Sequence, residues 1–220
     1  MSAGLAAMSG RFHFVRHGQT LDNQRGVRCG GDRDVALTER GLAEARAAAT
    51  RFRLSGRPCG LIVAGPLHRT QVTAALFGEA LKVPVIAQDW LRERALGAWN
   101  GLAIEDTRPW FEARLTPPGG ESEEVFSQRV IAGLTGLVGL LPQSPLLVGS
   151  KGIGRILFTV LARQPRVELG NCELVTFDPL GGEGGPERWA WRWHREGQGE
   201  QKGGFAPLTP RQERDAPGPA

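Results

Sequence analysis

The sequence predicts an α/β domain, with a mainly parallel sheet covered by helices on both faces and a hairpin at the C-terminal end. Three observations predict it. Apolar runs of strand length recur along the 220 residues, and most are followed by a stretch with helical spacing. Gly- and Pro-containing turns separate these units. Arg16, His17 and Lys151 stand just beyond the ends of two runs, where open α/β sheets bind ligands.

Residues 12–15 form the first predicted strand. Thr38 is a good N-cap for a helix to about residue 54, with Leu42, Ala45, Ala49 and Phe52 on its apolar face. Residues 61–64 form the second strand, and Pro66, suited to a first helical turn, opens a helix to about residue 77. A third strand follows at 83–86, then helices at 104–115 and from 122 to about 140. The fourth strand is 146–148, and a helix at 153–162 follows it. Residues 173–177 and 188–194 form the hairpin. Trp189, Trp191 and Trp193 alternate along its second strand, the pattern of one face packed on a core rather than a stacking platform. The α/β domain is expected to span 1–195, and the Gly-, Pro-, Gln- and Glu-rich residues 196–220 are expected to be a disordered tail.

Composition narrows the function classes. The net charge is +4, but the arginines are scattered, which argues against nucleic acid as a partner. No stretch reads as the roughly 20 apolar residues of a membrane span, and the N-terminus lacks the basic start of a signal peptide. Cys29, Cys59 and Cys172 are odd in number and have no C-x-x-C spacing, so reduced thiols and a cytoplasmic location are expected.

The chemistry starts at Phe12, with F-H-F-V-R-H-G-Q-T. A strand fixes His17 in space, and Gly18 permits a tight turn. Arg16 offers a planar fork that matches phosphate oxygens. Thr20, Asn23 and Arg28 follow, then A-G-P-L-H-R-T-Q-V-T-A from Ala64, L-R-E-R-A-L-G-A-W-N-G from Leu91, P-G-G-E-S from Pro118, and Arg129. In this order the segments closely resemble the histidine phosphatase superfamily, the phosphoglycerate-mutase-like family, over about residues 12–179.

The resemblance implies that His17 accepts a phosphoryl group, that Arg16 and Arg69 grip it, and that Glu93 protonates the leaving oxygen. Asn23 and Arg28 stand either as further phosphate donors or in local turns, and His13, His68 and His194 are expected to be structural or exposed. Two positions depart from the family pattern. Ala64-Gly65 stands where the family often has serines, and Lys151 in L-L-V-G-S-K-G occupies the place of a second histidine. A lysine attracts phosphate but orients it poorly, and pairing with Glu93 would remove the acid. The resemblance therefore implies hydrolysis of a small phosphomonoester, with Lys151 among the phosphate-binding groups. The alternative is a pseudoenzyme that binds phosphate esters without turnover. The short stretch between Glu93 and Pro118 favours phosphatase over mutase. No metal or organic cofactor is implied, and the oligomeric state is not legible. The segment G-S-K-G-I-G-R also looks like a dehydrogenase glycine turn, but its spacing is one short, it lies late in the chain, and the chain has no tyrosine.

Overall fold

A computed structural model describes residues 8–164, 167–180, 188–194 and 201–204. Among these, β1 (Phe12–Arg16), β2 (Ile62–Ala64), β3 (Val85–Ala87), β4 (Leu146–Gly149), β5 (Leu174–Leu180), β6 (Arg188–His194) and β7 (Gln201–Gly204) form one sheet. Its order is β3-β2-β4-β1-β5-β6-β7. The strands β1 to β4 run parallel, so their carboxyl ends all point to one edge. Antiparallel pairing adds β5, β6 and β7 on the far side of β1.

Alternation along the short strands feeds two cores. Phe12, Phe14, Val63 and Leu147 pack with Phe126, Val130, Ile153 and Leu157 on one face. Val15, Ile62, Ala64, Leu146 and Val148 meet Ala45, Ala49, Phe52 and Phe77 on the other. The helices responsible are α2 (Glu39–Leu54) and α3 (His68–Leu81) on the second face, with α5 (Glu123–Thr135) and α6 (Lys151–Ala162) on the first. Thr38 caps α2 as expected, its side chain accepting from the Gly41 N–H. α3 starts two residues later than Pro66 predicts, because Asp34 receives the His68 N–H at 2.9 and 3.0 Å and fixes the first turn there. A short helix, α1 (Leu21–Arg25), and α4 (Ile104–Glu112) complete the set used below.

Two expectations need correction. Part of the expected disordered tail, Gln201–Gly204, is strand β7, pairing with β6 from Trp193↔Gln201 to Ala190↔Gly204. Gly203 leaves room for the Trp strand beside it: a Cβ there would stand 2.4 Å from the Trp191 ring. Residues 195–200 and 205–220 lie outside the described residues. The second correction concerns Glu123–Gln143, a 21-residue helical stretch with hydropathy 1.4, long and apolar enough by length and composition to cross a membrane. Gly133, Gly136 and Gly139 break up its apolar run in the sequence. Phe126, Val130, Leu134, Leu137 and Leu141 are buried in the first core, while only 28% of the apolar window is buried in all. Trp189 and Trp193 are buried in that core as well, in line with the packing reading of the Trp strand.

One buried group sets a pH response. His13 is fully buried between β1's neighbours, 2.9 Å from the Thr176 hydroxyl and 3.0 Å from the Pro58 carbonyl. A carbonyl only accepts, so Nε2 carries the proton and Nδ1 takes the Thr176 O–H. Burial lowers its pKa from 6.5 to about 4, with Arg11 and Arg57 adding to the effect. Between those values the unfolded chain binds the extra proton and the folded one does not. Stability is therefore complete above pH 6.5 and falls as pH drops toward 4, by roughly 3 kcal/mol for this residue. Urea midpoints from pH 7.5 to 4.5 check this: the wild type should decline below 6.5, and His13→Gln should decline less steeply. Equal slopes in the two proteins would remove His13 from the account.

Candidate active site

The four parallel strands each deliver something to the same edge. β1 ends in Arg16, and His17 follows with its N–H bonded to the Gly149 carbonyl of β4 at 2.9 Å. Past β2, α3 carries Arg69 and Thr73 in its first turns. The Thr73 hydroxyl oxygen accepts the Gly18 N–H at 3.1 Å and ties the His17 loop to that helix. Past β3, a 3-10 turn at Asp89–Leu91 leads to Glu93. Past β4, Ser150, Lys151 and Gly152 open α6. Gly18 is required here: a Cβ on it would stand 2.4 Å from the Gly41 carbonyl oxygen at the start of α2.

His17 is 4% exposed, and its Nδ1 lies 2.8 Å from its neighbour's carbonyl, Gly18 O. That oxygen can only accept, so the Nδ1 proton is committed and the neutral ring keeps its lone pair on Nε2. Burial first, then the Arg16 and Arg69 guanidiniums, hold the imidazole's pKa well below its usual 6.5. The ring is thus uncharged, with a free lone pair, beside two cations. Asn171 fixes its backbone by donating to the His17 carbonyl at 2.9 Å.

The cations keep donors in reserve. Arg69 is 1% exposed and gives two N–H groups to the Arg33 and Gly30 carbonyls, at 2.9 and 3.0 Å, with the Asp34 carboxylate 3.9 Å away. A guanidinium has five N–H donors, so the anchored side chain has others to offer. Arg16 donates to the Leu169 carbonyl at 2.8 Å, while its Nε is buried without a partner. The Ser150 hydroxyl, at the head of α6, is buried and unpartnered too. A buried donor left unmade costs about 1–3 kcal/mol. A phosphate oxygen is the kind of acceptor that relieves it.

Glu93 is held from both sides. Its Oε1 accepts the Arg94 N–H at 2.7 Å and its Oε2 accepts the Gly152 N–H at 2.8 Å. Its backbone is braced by Arg129, which donates to the Trp90 and Arg92 carbonyls at 3.0 Å while pairing with Glu121. Lys151 does not pair with Glu93, the arrangement that would remove the acid. Its ammonium lies 3.0 Å from Glu168 instead. The α6 backbone places Gly152, not the lysine, against the Glu93 carboxylate.

Two of the expected site residues are engaged locally. The Asn23 side-chain oxygen accepts the Thr20 N–H in a capping box at the start of α1, and also the Asn171 amide. Arg28 donates to the Thr107 hydroxyl at 2.7 Å and the Ile104 carbonyl at 3.2 Å, and its guanidinium lies 3.9 Å over the Phe111 ring. It therefore holds α4 in place. The sequence reading missed Asn171, Thr73, Gly152 and Glu168. The capping box, T-x-x-N, was a local signal that could have placed Asn23; nothing local marked the others.

Known proteins resemble this chain over most of its length. Residues 12–192 match the model of the histidine phosphatase superfamily (branch 1). A 2,3-bisphosphoglycerate-dependent phosphoglycerate mutase from Methylobacterium radiotolerans is 36% identical over 131 residues, covering 54% of this chain and 61% of the mutase. The chain thus spans about three fifths of that relative's length. A probable phosphoglycerate mutase GpmB from Yersinia pestis is 32% identical over 184 residues, 76% of this chain and 83% of that protein. Among solved structures, a mycobacterial glucosyl-3-phosphoglycerate phosphatase complexed with VO3 is similar at a TM-score of 0.70 and 26% identity, covering 86% of this chain and 99% of that one.

Proposed function

We propose a reaction from one premise: this chain belongs to the histidine phosphatase superfamily, branch 1. It hydrolyses a small phosphomonoester in two in-line steps. His17 Nε2 attacks phosphorus, the bond to the ester oxygen breaks, and Glu93 gives that oxygen its proton. Water then attacks the phosphohistidine, its proton passes to the Glu93 carboxylate, and the P–N bond breaks, releasing inorganic phosphate and restoring the neutral ring and the Glu93 acid. Arg16, Arg69 and Lys151 offset the charge on the transferring group. The observation that carries this reading is the His17 ring, with Nδ1 committed to Gly18 and the lone pair left on Nε2 beside two guanidiniums.

One feature supports turnover over mere binding: the Glu93 carboxylate is free of Lys151. The donors at Arg16 Nε and Ser150 Oγ await an acceptor, which suits a phosphate under either reading. Hydrolysis is favoured over mutase chemistry by the shortness of the segment between Glu93 and Pro118, whose α4 is only nine residues long.

The test is rapid-quench trapping with a radiolabelled aryl phosphate. Wild type should carry acid-labile label on His17 and turn over slowly. Lys151→His should raise the rate, since a preorganised transition-state donor is worth about 10²–10³. If neither protein is labelled while both bind phosphate esters, the chain is a binding protein and the hydrolase reading fails.

A further inference from the structure

We propose that Glu168 is a built-in competitor for the substrate's phosphate, a positioning residue that holds the Lys151 ammonium until a stronger anion takes it. This rests on the reading above that Lys151 serves the transferring group. Lys151 stands at the first turn of α6, adjacent to the Gly152 N–H that carries Glu93, so its ammonium starts from the rim of the site. There it lies 3.0 Å from Glu168 Oε1, with the side chains 45% and 77% exposed.

The next residue explains why the carboxylate is always at hand. Leu169 is buried at 2% exposure, and its Cδ1 would lie 2.4 Å from a Cβ built on Gly154 of α6. Its carbonyl accepts from Arg16 at 2.8 Å. Two adjacent residues thus satisfy two of the site's cations, one through a fixed carbonyl and one through a side chain that can swing into water. A phosphate carries more charge and more acceptor oxygens than one carboxylate, so it displaces Glu168 from Lys151 and not the reverse. An exposed pair of this kind shifts an equilibrium by about two- to fivefold. Phosphate affinity is held down by that factor.

The probe is inorganic phosphate, titrated calorimetrically at low ionic strength into wild type, Glu168→Gln, Lys151→Met and the double variant. Glu168→Gln should tighten phosphate about two- to fivefold with Lys151 present, and distinctly less in the Lys151→Met background. Equal tightening in both backgrounds would mean that Glu168 merely repels the ligand, and no tightening with Lys151 present would mean that it does not compete. Either result overturns the proposal. Phosphohistidine trapping on the same proteins reports separately on hydrolysis: coupling without label rejects the hydrolase and keeps Glu168's role, and label without coupling does the opposite.

Discussion

With asparagine at position 17, turnover of a phosphomonoester falls by about 10⁴-fold or more, and no label is trapped on the protein. That factor is about 5.5 kcal/mol of transition-state stabilisation. The loss is chemical rather than structural. Asparagine keeps an N–H that can reach the Gly18 carbonyl, now bonded at 2.8 Å by the ring. The backbone contacts to Gly149 and Asn171 do not involve the side chain at all. Inorganic phosphate should therefore still bind His17→Asn within about tenfold of wild type, since Arg16 and Arg69 remain and only the lone pair is gone. The pH profile of the wild type adds a check with a definite sign. Burial and the two guanidiniums keep the imidazole neutral well below 6.5. Protonation of the ring then removes activity only well below that pH, and an acid limb centred at 6.5, on a substrate that does not itself titrate there, would show that the ring is not held neutral. Residual turnover in the variant near the wild-type rate would show that His17 is not the attacking group.

Much of this site was legible because short strands are rigid addresses. His17 and Lys151 each sit one or two residues past a strand of four or five residues, and once the parallel order is set their convergence follows. Arg69 was readable only through the resemblance, within P-L-H-R-T-Q-V-T-A; taken alone it reads as a solvated helix residue. A large part of what escaped comes from residues 168–173. They reach the site only because β5 returns antiparallel beside β1, with Phe12 opposite Phe177. This brings the loop before β5 to the end of β1, where Leu169 and Asn171 meet Arg16 and the His17 backbone. Pairing across some 160 residues leaves no periodicity in the local sequence. Arg28 was left open between a phosphate contact and a local role for the opposite reason. Its partners, Thr107, Ile104 and Phe111, lie in a helix whose docking depends on that very arginine.

Glutamine at position 93 should impose a penalty that depends on the leaving group. For an alkyl phosphate, whose alkoxide leaves poorly, kcat/KM should fall by about 10²–10⁴. For an aryl phosphate with an acidic phenol the fall should stay within about tenfold, because that oxygen departs without a proton. Glutamine fills the same volume, but its amide cannot accept from both Arg94 and Gly152 as the carboxylate does. One N–H loses its partner, at a cost of about 1 kcal/mol of local stability. Gly152→Ala is the companion variant, since it leaves the glutamate in the chain but not in place. A Cβ there would stand 2.2 Å from Glu93 Oε1 and 2.9 Å from its Cδ, so the carboxyl group must swing away. If Glu93 acts by delivering a proton to the ester oxygen, both variants lose alkyl phosphates selectively and retain aryl ones. If instead it only buttresses the first turn of α6, both substrates suffer equally, and the acid must be sought elsewhere.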